Sequence, residues 1–353
     1  MMVMFPREFS QRAAQAARVF IPAALALALA ACAAEPAPRL PELDIDPDRV
    51  AVAGLSSGAY MATQVHLAHS DRLRGAALLA GGPYGCAGAS LETALGPCMV
   101  AEPYAPDPAR LAGVVRERAA AGDIAPVSGL AGDAVYVLRG RADTVVAEAV
   151  TRSAHDLYAA LADDAGGLSL HYDGGRDFPH LMPTLDAGVD CATGGTPYLG
   201  RCGFDAAGEA MAWLFGPASS PAPATAAGEL RRFDQAPYAA PGADPLLAEA
   251  GYLYLPPACA AGGRCGLLVA FHGCEQNADK VGEAFVRDAG FNRWADVHRV
   301  AVLYPQVRSS YLPLNPKACW DWWGYTGEGY DTRRGAQPRW LAAAMTALGA
   351  PMP

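Results

Sequence analysis

The sequence predicts an α/β fold with a mostly parallel sheet covered by helices on both faces, and two observations lead to this class. Across residues 46–216, short apolar segments bounded by glycine alternate with longer segments whose apolar residues recur at helical spacing. The same alternation returns between residues 251 and 349, after a stretch rich in proline and alanine. This β-α-β rhythm favours parallel strands joined by helices.

The first block carries the larger share of the predicted elements. Its strands are short, apolar and bounded by glycine, whereas its helices have apolar residues every three or four positions. The predicted strands are 49–54, 74–82, 135–140 and 168–175, and the predicted helices are 59–70 and 147–164.

The second block begins after residues 216–229, whose low complexity predicts a linker. It is small for a core of its own, while the first block lacks the strands that normally begin such a sheet. We therefore expect one domain over residues 46–353, made of the halves 46–215 and 230–353. The predicted strands of the second half are 251–257, 266–273 and 299–306, and its predicted helices are about 280–297 and 337–349.

Residues 1–31 have the pattern of an export signal. Three arginines precede an apolar run, 19–31, that is too short to span a bilayer comfortably. The run ends in Leu-Ala-Ala-Cys, which resembles a bacterial lipobox and predicts cleavage before Cys32 and its acylation. The alternative is an ordinary signal peptide cut near Ala34. We expect an exported lipoprotein of the periplasm or outer membrane, or an extracellular protein, with residues 32–45 as a tether and the lipid as its only membrane attachment.

Nine cysteines are present, and eight remain when Cys32 is set aside. An even number in an exported chain predicts up to four disulfides, although sequence alone does not fix their connectivity. A zinc site is the alternative, but the chain has no CxxC pair and no cysteines clustered with histidines at zinc-finger spacing. Local spacing favours the pairs Cys86–Cys98, Cys191–Cys202 and Cys259–Cys265, which leaves Cys274 with Cys319.

The charge of the chain limits the class of its partners. The formal net charge is −9, and an acidic surface repels phosphate backbones. We therefore do not expect a nucleic acid partner. A neutral substrate fits better, and we expect a monomer.

The pentapeptide Gly54-Leu55-Ser56-Ser57-Gly58 matches the pattern G-x-S-x-G between a predicted strand and a predicted helix. Glycines at both ends allow a sharp turn that holds a serine in a strained conformation, with its hydroxyl above the sheet. The start of the following helix favours developing negative charge. We therefore predict that Ser56 is a catalytic nucleophile, the alternative being a simple turn of small residues.

A serine nucleophile requires a base and a carboxylate that orients the base. Asp143 follows the predicted strand 135–140, and His180 follows the predicted strand 168–175 and a loop rich in glycine and proline. These are the positions after later strands at which the acid and the base are expected. The other histidines fit structural roles, so His180 is the predicted base. Asp143 is the predicted acid, and a turn or helix-capping aspartate is the alternative.

The segment "LLVAFHGCEQN" (267–277) has the pattern of a strand followed by a loop that donates backbone N–H groups to an oxyanion. In α/β-hydrolases this loop precedes the nucleophile, whereas here it follows Ser56 by more than two hundred residues. The second half, placed first, would supply the beginning of such a fold, and the first half would supply its remainder. The sequence therefore predicts a circularly permuted α/β-hydrolase whose linker, 216–229, joins the ancestral ends and whose present ends lie close together.

Five motifs give the chain a specific family resemblance. They are "GLSSGAYMATQVHLAHSDRLRGAALLAGGPYGCA", "LRGRADTVV", "DFPHLMP", "FHGCEQN" and "CWDWWGY". Together they resemble the single-domain poly(3-hydroxybutyrate) depolymerases with a circularly permuted α/β-hydrolase fold, from about residue 48 to the end. The resemblance implies a secreted serine esterase that cleaves a polyester or its oligomers without metal or cofactor.

The resemblance also implies roles for particular residues. Ser56, Asp143 and His180 would form the catalytic triad, and the backbone N–H groups of Ser57 and Cys274 would form the oxyanion hole. The aromatic residues of "CWDWWGY" would line the substrate groove, with Trp320 as the favoured contact. These residues are Trp320, Trp322, Trp323 and Tyr325.

Two other functions remain open at this point. Feruloyl and acetylxylan esterases share the pattern HGC-x-Q and a similar turn around the serine, so a carbohydrate ester is an alternative substrate. A lipid-anchored binding module with an inactive hydrolase fold belongs to a different class. All the expected catalytic positions are occupied, which argues against that module.

Overall fold

The structure is a computed structural model that describes residues 38–352. The predicted signal peptide and the predicted lipidation site Cys32 lie outside these residues. The described strands are β1 (Ile45–Leu55), β2 (Gly75–Leu79), β3 (Ala134–Gly140), β4 (Ser169–Arg176), β5 (Met182–Thr184), β6 (Val189–Asp190), β7 (Leu199–Arg201), β8 (Glu229–Asp234), β9 (Ala250–Leu255), β10 (Cys265–Phe271), β11 (Val300–Tyr304), β12 (Ser310–Tyr311) and β13 (Leu314–Asn315). The described helices are α1 (Ser57–Ala68), α2 (Leu91–Leu95), α3 (Pro108–Ala121), α4 (Glu148–Ala165), α5 (Ala206–Phe215), α6 (Pro257–Ala260), α7 (Ala278–Val281), α8 (Ala284–Asp288), α9 (Phe291–His298) and α10 (Ala336–Ala347).

Eight strands form the main sheet in the order β4-β3-β2-β1-β10-β11-β9-β8. The six strands from β4 to β11 are parallel, and β9 and β8 are added antiparallel at one edge. The carboxyl ends of the parallel strands therefore meet at one edge, where the loops that follow β1, β3, β4 and β10 come together.

Side chains alternate between the two faces of the sheet and produce a core on each side. On β1, Val50 and Val52 pack in the cluster that contains α1, α3, α4 and α10. Ala51 and Ala53 pack in the opposite cluster, which contains α5, α8 and α9. The period of two along β1 thus places helices on both faces, as the sequence predicts.

The two halves of the chain meet at the centre of the sheet. Strand β1 lies beside β10, with Val52 opposite Val269. Residues 216–228 run without regular structure between α5 and β8. The two ends of the domain are adjacent, because the Leu43 N–H donates to the Leu348 carbonyl at 3.0 Å. These features confirm the predicted circularly permuted α/β-hydrolase fold.

The four predicted disulfides are all present. They are Cys86–Cys98, Cys191–Cys202, Cys259–Cys265 and Cys274–Cys319. The first three close short loops, and the fourth joins the predicted oxyanion loop to the aromatic segment that follows β13.

The described part of the predicted tether is bound to the domain. Leu40 is buried, and its N–H donates to the Tyr238 hydroxyl at 2.7 Å. Residues 38–45 are therefore not a free tether, and β1 begins at Ile45. No helix within residues 38–352 is both long and apolar enough to cross a membrane.

The predicted secondary structure is also wrong at two places. The single helix expected over about 280–297 is divided among α7, α8 and α9, because Gly282 and Gly290 have positive φ values of 60° and 98° that interrupt a helix. The second half begins with β8, which the sequence analysis did not identify. Four of the six residues in its sequence, ELRRFD, are charged, as suits an edge strand of the sheet.

Candidate active site

Ser56 lies in the tight turn between β1 and α1. Its φ of 57° and ψ of −122° are unfavourable for a residue with a side chain. The turn is held by the Ser56 N–H, which donates to the Leu79 carbonyl at 2.8 Å. A Cβ at Gly54 would lie 2.2 Å from the Gly58 carbonyl carbon, so glycine is required there for the turn to close. The predicted nucleophile therefore has the strained strand-to-helix setting that exposes a hydroxyl above a sheet.

The turn at Ser56 packs directly against the end of β10. A Cβ at Gly58 would lie 2.3 Å from the Phe271 carbonyl oxygen and 2.5 Å from the His272 carbonyl oxygen. A Cβ at Gly273 would lie 3.5 Å from the Cβ of Ser56. The loop predicted to bind an oxyanion thus borders the predicted nucleophile, although the two are far apart in sequence.

Asp143 and His180 form a hydrogen-bonded pair after β3 and β4. The His180 Nδ1 lies 2.8 Å from Asp143 Oδ2. Asp143 Oδ1 accepts the N–H groups of Val145 and Val146 at 2.8 and 2.9 Å. Because an ionised carboxylate only accepts, Nδ1 carries the ring proton and Nε2 is left free to act as a base.

The Asp143 carboxyl is nearly buried, and the groups around it keep it ionised. Burial alone would raise its pKa. The hydrogen bond and charge of His180, together with the N–H groups of Val146 and Val145, outweigh burial and hold the pKa below its ordinary value. A carboxylate in this state orients the imidazole and stabilises its cation.

The backbone N–H groups of Ser57 and Cys274 belong to the two loops that meet at Ser56. Ser57 begins α1, and Cys274 is held to Cys319 by the fourth disulfide. Neither N–H donates a hydrogen bond within residues 38–352. Two unused donors on facing loops are the chemical requirement for binding an oxyanion.

A cavity of about 410 Å³ contains Ser56 and His180 in its lining. Most of the remaining lining is apolar, and the predicted residues Trp322 and Trp323 contribute to it. Tyr60 stacks on Trp322 with ring centroids 4.3 Å apart. The cavity therefore offers an apolar wall beside the predicted nucleophile.

Several apolar residues of the cavity were not predicted from the sequence. Val145 and Val146 lie two and three residues after the predicted acid, and this closeness in sequence is a signal that could have identified them. Nothing in the sequence around α2 indicates that its residues line the cavity, because only tertiary packing brings that helix to the site. The missed apolar residues are Tyr60, Leu91, Leu95, Met99, Val145, Val146 and Leu314.

Trp320 and Tyr325 occupy different positions from those expected. Trp320 is 1% exposed, lies outside the cavity lining and packs edge-on against Phe271 with centroids 4.9 Å apart. Tyr325 also lies outside the lining, and its hydroxyl donates to the Cys319 carbonyl at 2.7 Å. Neither of these two residues therefore lines the cavity in which the sequence analysis expected them to contact a substrate.

Charged side chains are few in the cavity. Glu275 and Lys317 pair with each other at 3.1 Å, and Lys317 is largely exposed. No three His, Cys, Asp or Glu side chains within residues 38–352 lie close enough together to hold a metal ion. The groups at the site suit nucleophilic attack on a neutral carbonyl compound with apolar substituents.

Comparisons with known proteins agree with this chemistry. A family model described as esterase PHB depolymerase matches residues 250–337. The poly(3-hydroxybutyrate) depolymerase of Delftia acidovorans is 37% identical over 322 residues, which are 89% of this chain and 63% of that relative. The chain thus spans slightly less than two thirds of the length of this relative.

A second relative and a solved structure match over nearly their whole lengths. The polyhydroxybutyrate depolymerase of Talaromyces funiculosus is 34% identical over 314 residues, which are 84% of this chain and 88% of that relative. A solved structure of PHB depolymerase complexed with an R3HB trimer has a TM-score of 0.78 at 30% identity, covering 89% of this chain and 99% of its own. The chain therefore belongs to the polyhydroxybutyrate depolymerase family of esterases.

Proposed function

We propose that the protein is a serine esterase that hydrolyses the ester bonds of poly(3-hydroxybutyrate) or of its oligomers. The observation that carries the proposal is the hydrogen-bonded His180–Asp143 pair at a mainly apolar cavity that also contains Ser56. Two relatives named as depolymerases of this polymer, and the solved structure with an R3HB trimer, support the choice of substrate.

The first chemical step is acylation of Ser56. Its oxygen attacks the carbonyl carbon of the ester while His180 accepts the hydroxyl proton at Nε2. Asp143, an acceptor for Nδ1–H, stabilises the imidazolium that forms. When the bond to the alcohol oxygen breaks, His180 returns the proton to that oxygen and the alcohol leaves.

The second step is hydrolysis of the acyl-enzyme. Water transfers a proton to His180 as its oxygen attacks the acyl carbon. The bond to Ser56 then breaks, the proton returns to the serine oxygen, and the product leaves with a free carboxyl group. In both steps the N–H groups of Ser57 and Cys274 bind the oxyanion, and loss of one such donor typically costs about 10²–10³ in rate.

The apolar cavity wall suits a polyester chain. Between its ester groups such a chain carries only methyl, methine and methylene groups, which gain from burial against aromatic and aliphatic side chains. Trp322 and Trp323 provide aromatic faces, and Leu314 and Val145 provide aliphatic contacts. Because the substrate is neutral, a cavity with few charges incurs little desolvation cost.

The experiment measures hydrolysis of a 3-hydroxybutyrate trimer by chromatography of its products. We expect turnover by the wild type, none by Ser56→Ala, and wild-type turnover by Ser128→Ala, which changes an exposed serine. A fluorophosphonate probe should label the wild type and not Ser56→Ala. Faster hydrolysis of methyl ferulate than of the trimer would instead identify a carbohydrate esterase, and absence of labelling would favour an inactive binding module.

We further propose that the protein is exported and held at a membrane by acyl chains on Cys32. The lipobox-like sequence and the four disulfides, which require an oxidising compartment, support this location. Mass spectrometry of the mature N-terminus should find acylated Cys32, and Cys32→Ala should release the protein from the membrane fraction. An unmodified N-terminus near Ala34 would contradict the anchor.

A further inference from the structure

We propose that His272 is a positioning residue for the oxyanion hole. Its imidazole fixes the peptide between Gly273 and Cys274 in the orientation that directs the Cys274 N–H toward the reacting carbonyl. This inference rests on the proposed function, because it assigns a supporting role at the same site.

His272 follows the last residue of β10 and is fully buried. Its Nδ1 lies 2.7 Å from the Gly273 carbonyl oxygen, and its Nε2 lies 3.2 Å from the backbone nitrogen of Val307. Rings of Phe285 and Trp320 enclose it, with centroids 6.4 and 5.5 Å away. The side chain therefore touches neither the cavity nor solvent.

The two hydrogen bonds determine which tautomer is present. The Val307 N–H can only donate, so Nε2 must be the unprotonated nitrogen that accepts it. The ring proton is then on Nδ1, which donates to the Gly273 carbonyl. Burial lowers the pKa of His272 to about 4, so the neutral ring that this pattern requires persists at neutral pH.

The Gly273 carbonyl and the Cys274 N–H belong to the same peptide unit. In a planar trans peptide these two groups point in opposite directions, so holding the carbonyl also holds the N–H. Glycine at position 273 would make this peptide easy to rotate if nothing held it. A rotated peptide would turn an oxygen toward the developing oxyanion and remove one of its two donors.

Other contacts also hold this loop, but they fix the orientation of the peptide between Gly273 and Cys274 less tightly than the imidazole does. Gln276 accepts the Gly273 N–H at 2.8 Å, and its own N–H approaches the Gly273 carbonyl at 3.3 Å. The disulfide to Cys319 restrains the Cys274 side chain. The imidazole makes the shortest hydrogen bond to the Gly273 carbonyl, at 2.7 Å.

The experiment compares variants that differ in the position of a donor. In His272→Asn the side-chain amide nitrogen can take the place of Nδ1, whereas in His272→Gln the amide reaches the position of Nε2. We expect His272→Gln and His272→Ala to lower kcat for the trimer by about 10²–10³, with KM changed much less. The kcat of His272→Asn should be much closer to that of the wild type. The affinity for a boronic acid, which forms a tetrahedral adduct with a serine, should fall in parallel with kcat/KM.

A matched control separates positioning from general destabilisation. His66 is also fully buried and bonded through both ring nitrogens, to Tyr158 and Asp133, but away from the oxyanion loop. His66→Asn should lower the unfolding temperature without lowering kcat of the folded enzyme.

Two results would overturn the inference, and both can be told apart from failure of the proposed function. One is a folded His272→Gln or His272→Ala variant whose kcat stays within about threefold of the wild type. The other is a His272→Asn variant as slow as His272→Gln. If the wild type itself has no hydrolysis that depends on Ser56, the proposed function fails, and the role of His272 fails with it.

Discussion

Replacement of Gly58 by alanine tests whether the contact between the two halves of the chain sets the geometry of the site. Gly58 is the second residue of α1, and its Cα faces the end of β10. An added Cβ would lie 2.3 Å from the Phe271 carbonyl oxygen and 2.5 Å from the His272 carbonyl oxygen. Both neighbours are backbone atoms, one in the last residue of β10 and one in the loop that follows it, so no flexible side chain can move aside.

The magnitude follows from the size of the required displacement. Favourable contact distances exceed the distances above by roughly 1 Å, so the start of α1 must move away from β10 by about that amount. Overpacking of this kind costs about 1–3 kcal/mol of stability. The same movement separates the N–H of Ser57 from that of Cys274, and a misplacement of about 1 Å at a reacting site costs about 10²-fold in rate.

Urea unfolding and kcat for the trimer measure the two effects. The matched control is Gly113→Ala in α3, where an added Cβ would meet no atom within 4 Å among the described residues outside its own helix. That change should raise the free energy of unfolding by about 0.5–1 kcal/mol and leave kcat unchanged. If Gly58→Ala matches the wild type in both stability and kcat, direct backbone contact does not hold the two loops in place.

Three further predictions concern pH, the acid and the cavity wall. Burial is the main cause that lowers the pKa values of His69 and His272 to about 4. As the pH falls, the unfolded state therefore binds protons before the folded state does. The free energy of unfolding should be full above about pH 6.5 and should fall by up to about 3 kcal/mol per residue as the pH approaches 4. Urea titrations across that range check this, and a flat profile would contradict it. Asp143→Asn should lower kcat by about 10⁴ with little change in KM, because an amide can stabilise the wrong imidazole tautomer. A loss of kcat below about tenfold in folded protein would contradict the catalytic role of the His180–Asp143 pair. Trp323→Ala should lower kcat/KM about tenfold for the trimer and by much less for p-nitrophenyl acetate. Trp213→Ala, on the exposed surface of α5, should change kcat/KM for neither substrate. Equal losses on both substrates would contradict a contact between Trp323 and the polyester chain.

The parts of the site that the sequence predicts have strong local patterns. Ser56 lies between a predicted strand and a predicted helix, with a glycine two residues away on each side. The pentapeptide and its immediate neighbours are therefore enough to predict its role. Asp143 comes three residues after β3, and His180 comes four residues after β4. Because parallel strands share one carboxyl edge, the positions after them converge whatever the details of packing.

The parts that the sequence analysis missed depend on contacts between distant segments. Trp320 and Trp322 are two positions apart in a segment without regular structure, so no period indicates which side chain faces the cavity. Tyr60 lines the cavity beside Trp322, which stacks on it from a segment more than 250 residues away in the sequence. Strand β8 has no apolar run because it lies at the sheet edge, and its assignment requires knowledge of its neighbour β9.

The pairing of β1 with β10 has a consequence for the order in which the proposed active site is assembled. Strand β1 is made early, but its central neighbour emerges only after the linker, β8 and β9 have been made. Such non-local pairing delays folding until both partners are available. The turn bearing Ser56 therefore lacks its facing loop throughout early synthesis, and the proposed active site stays incomplete until most of the chain has been made.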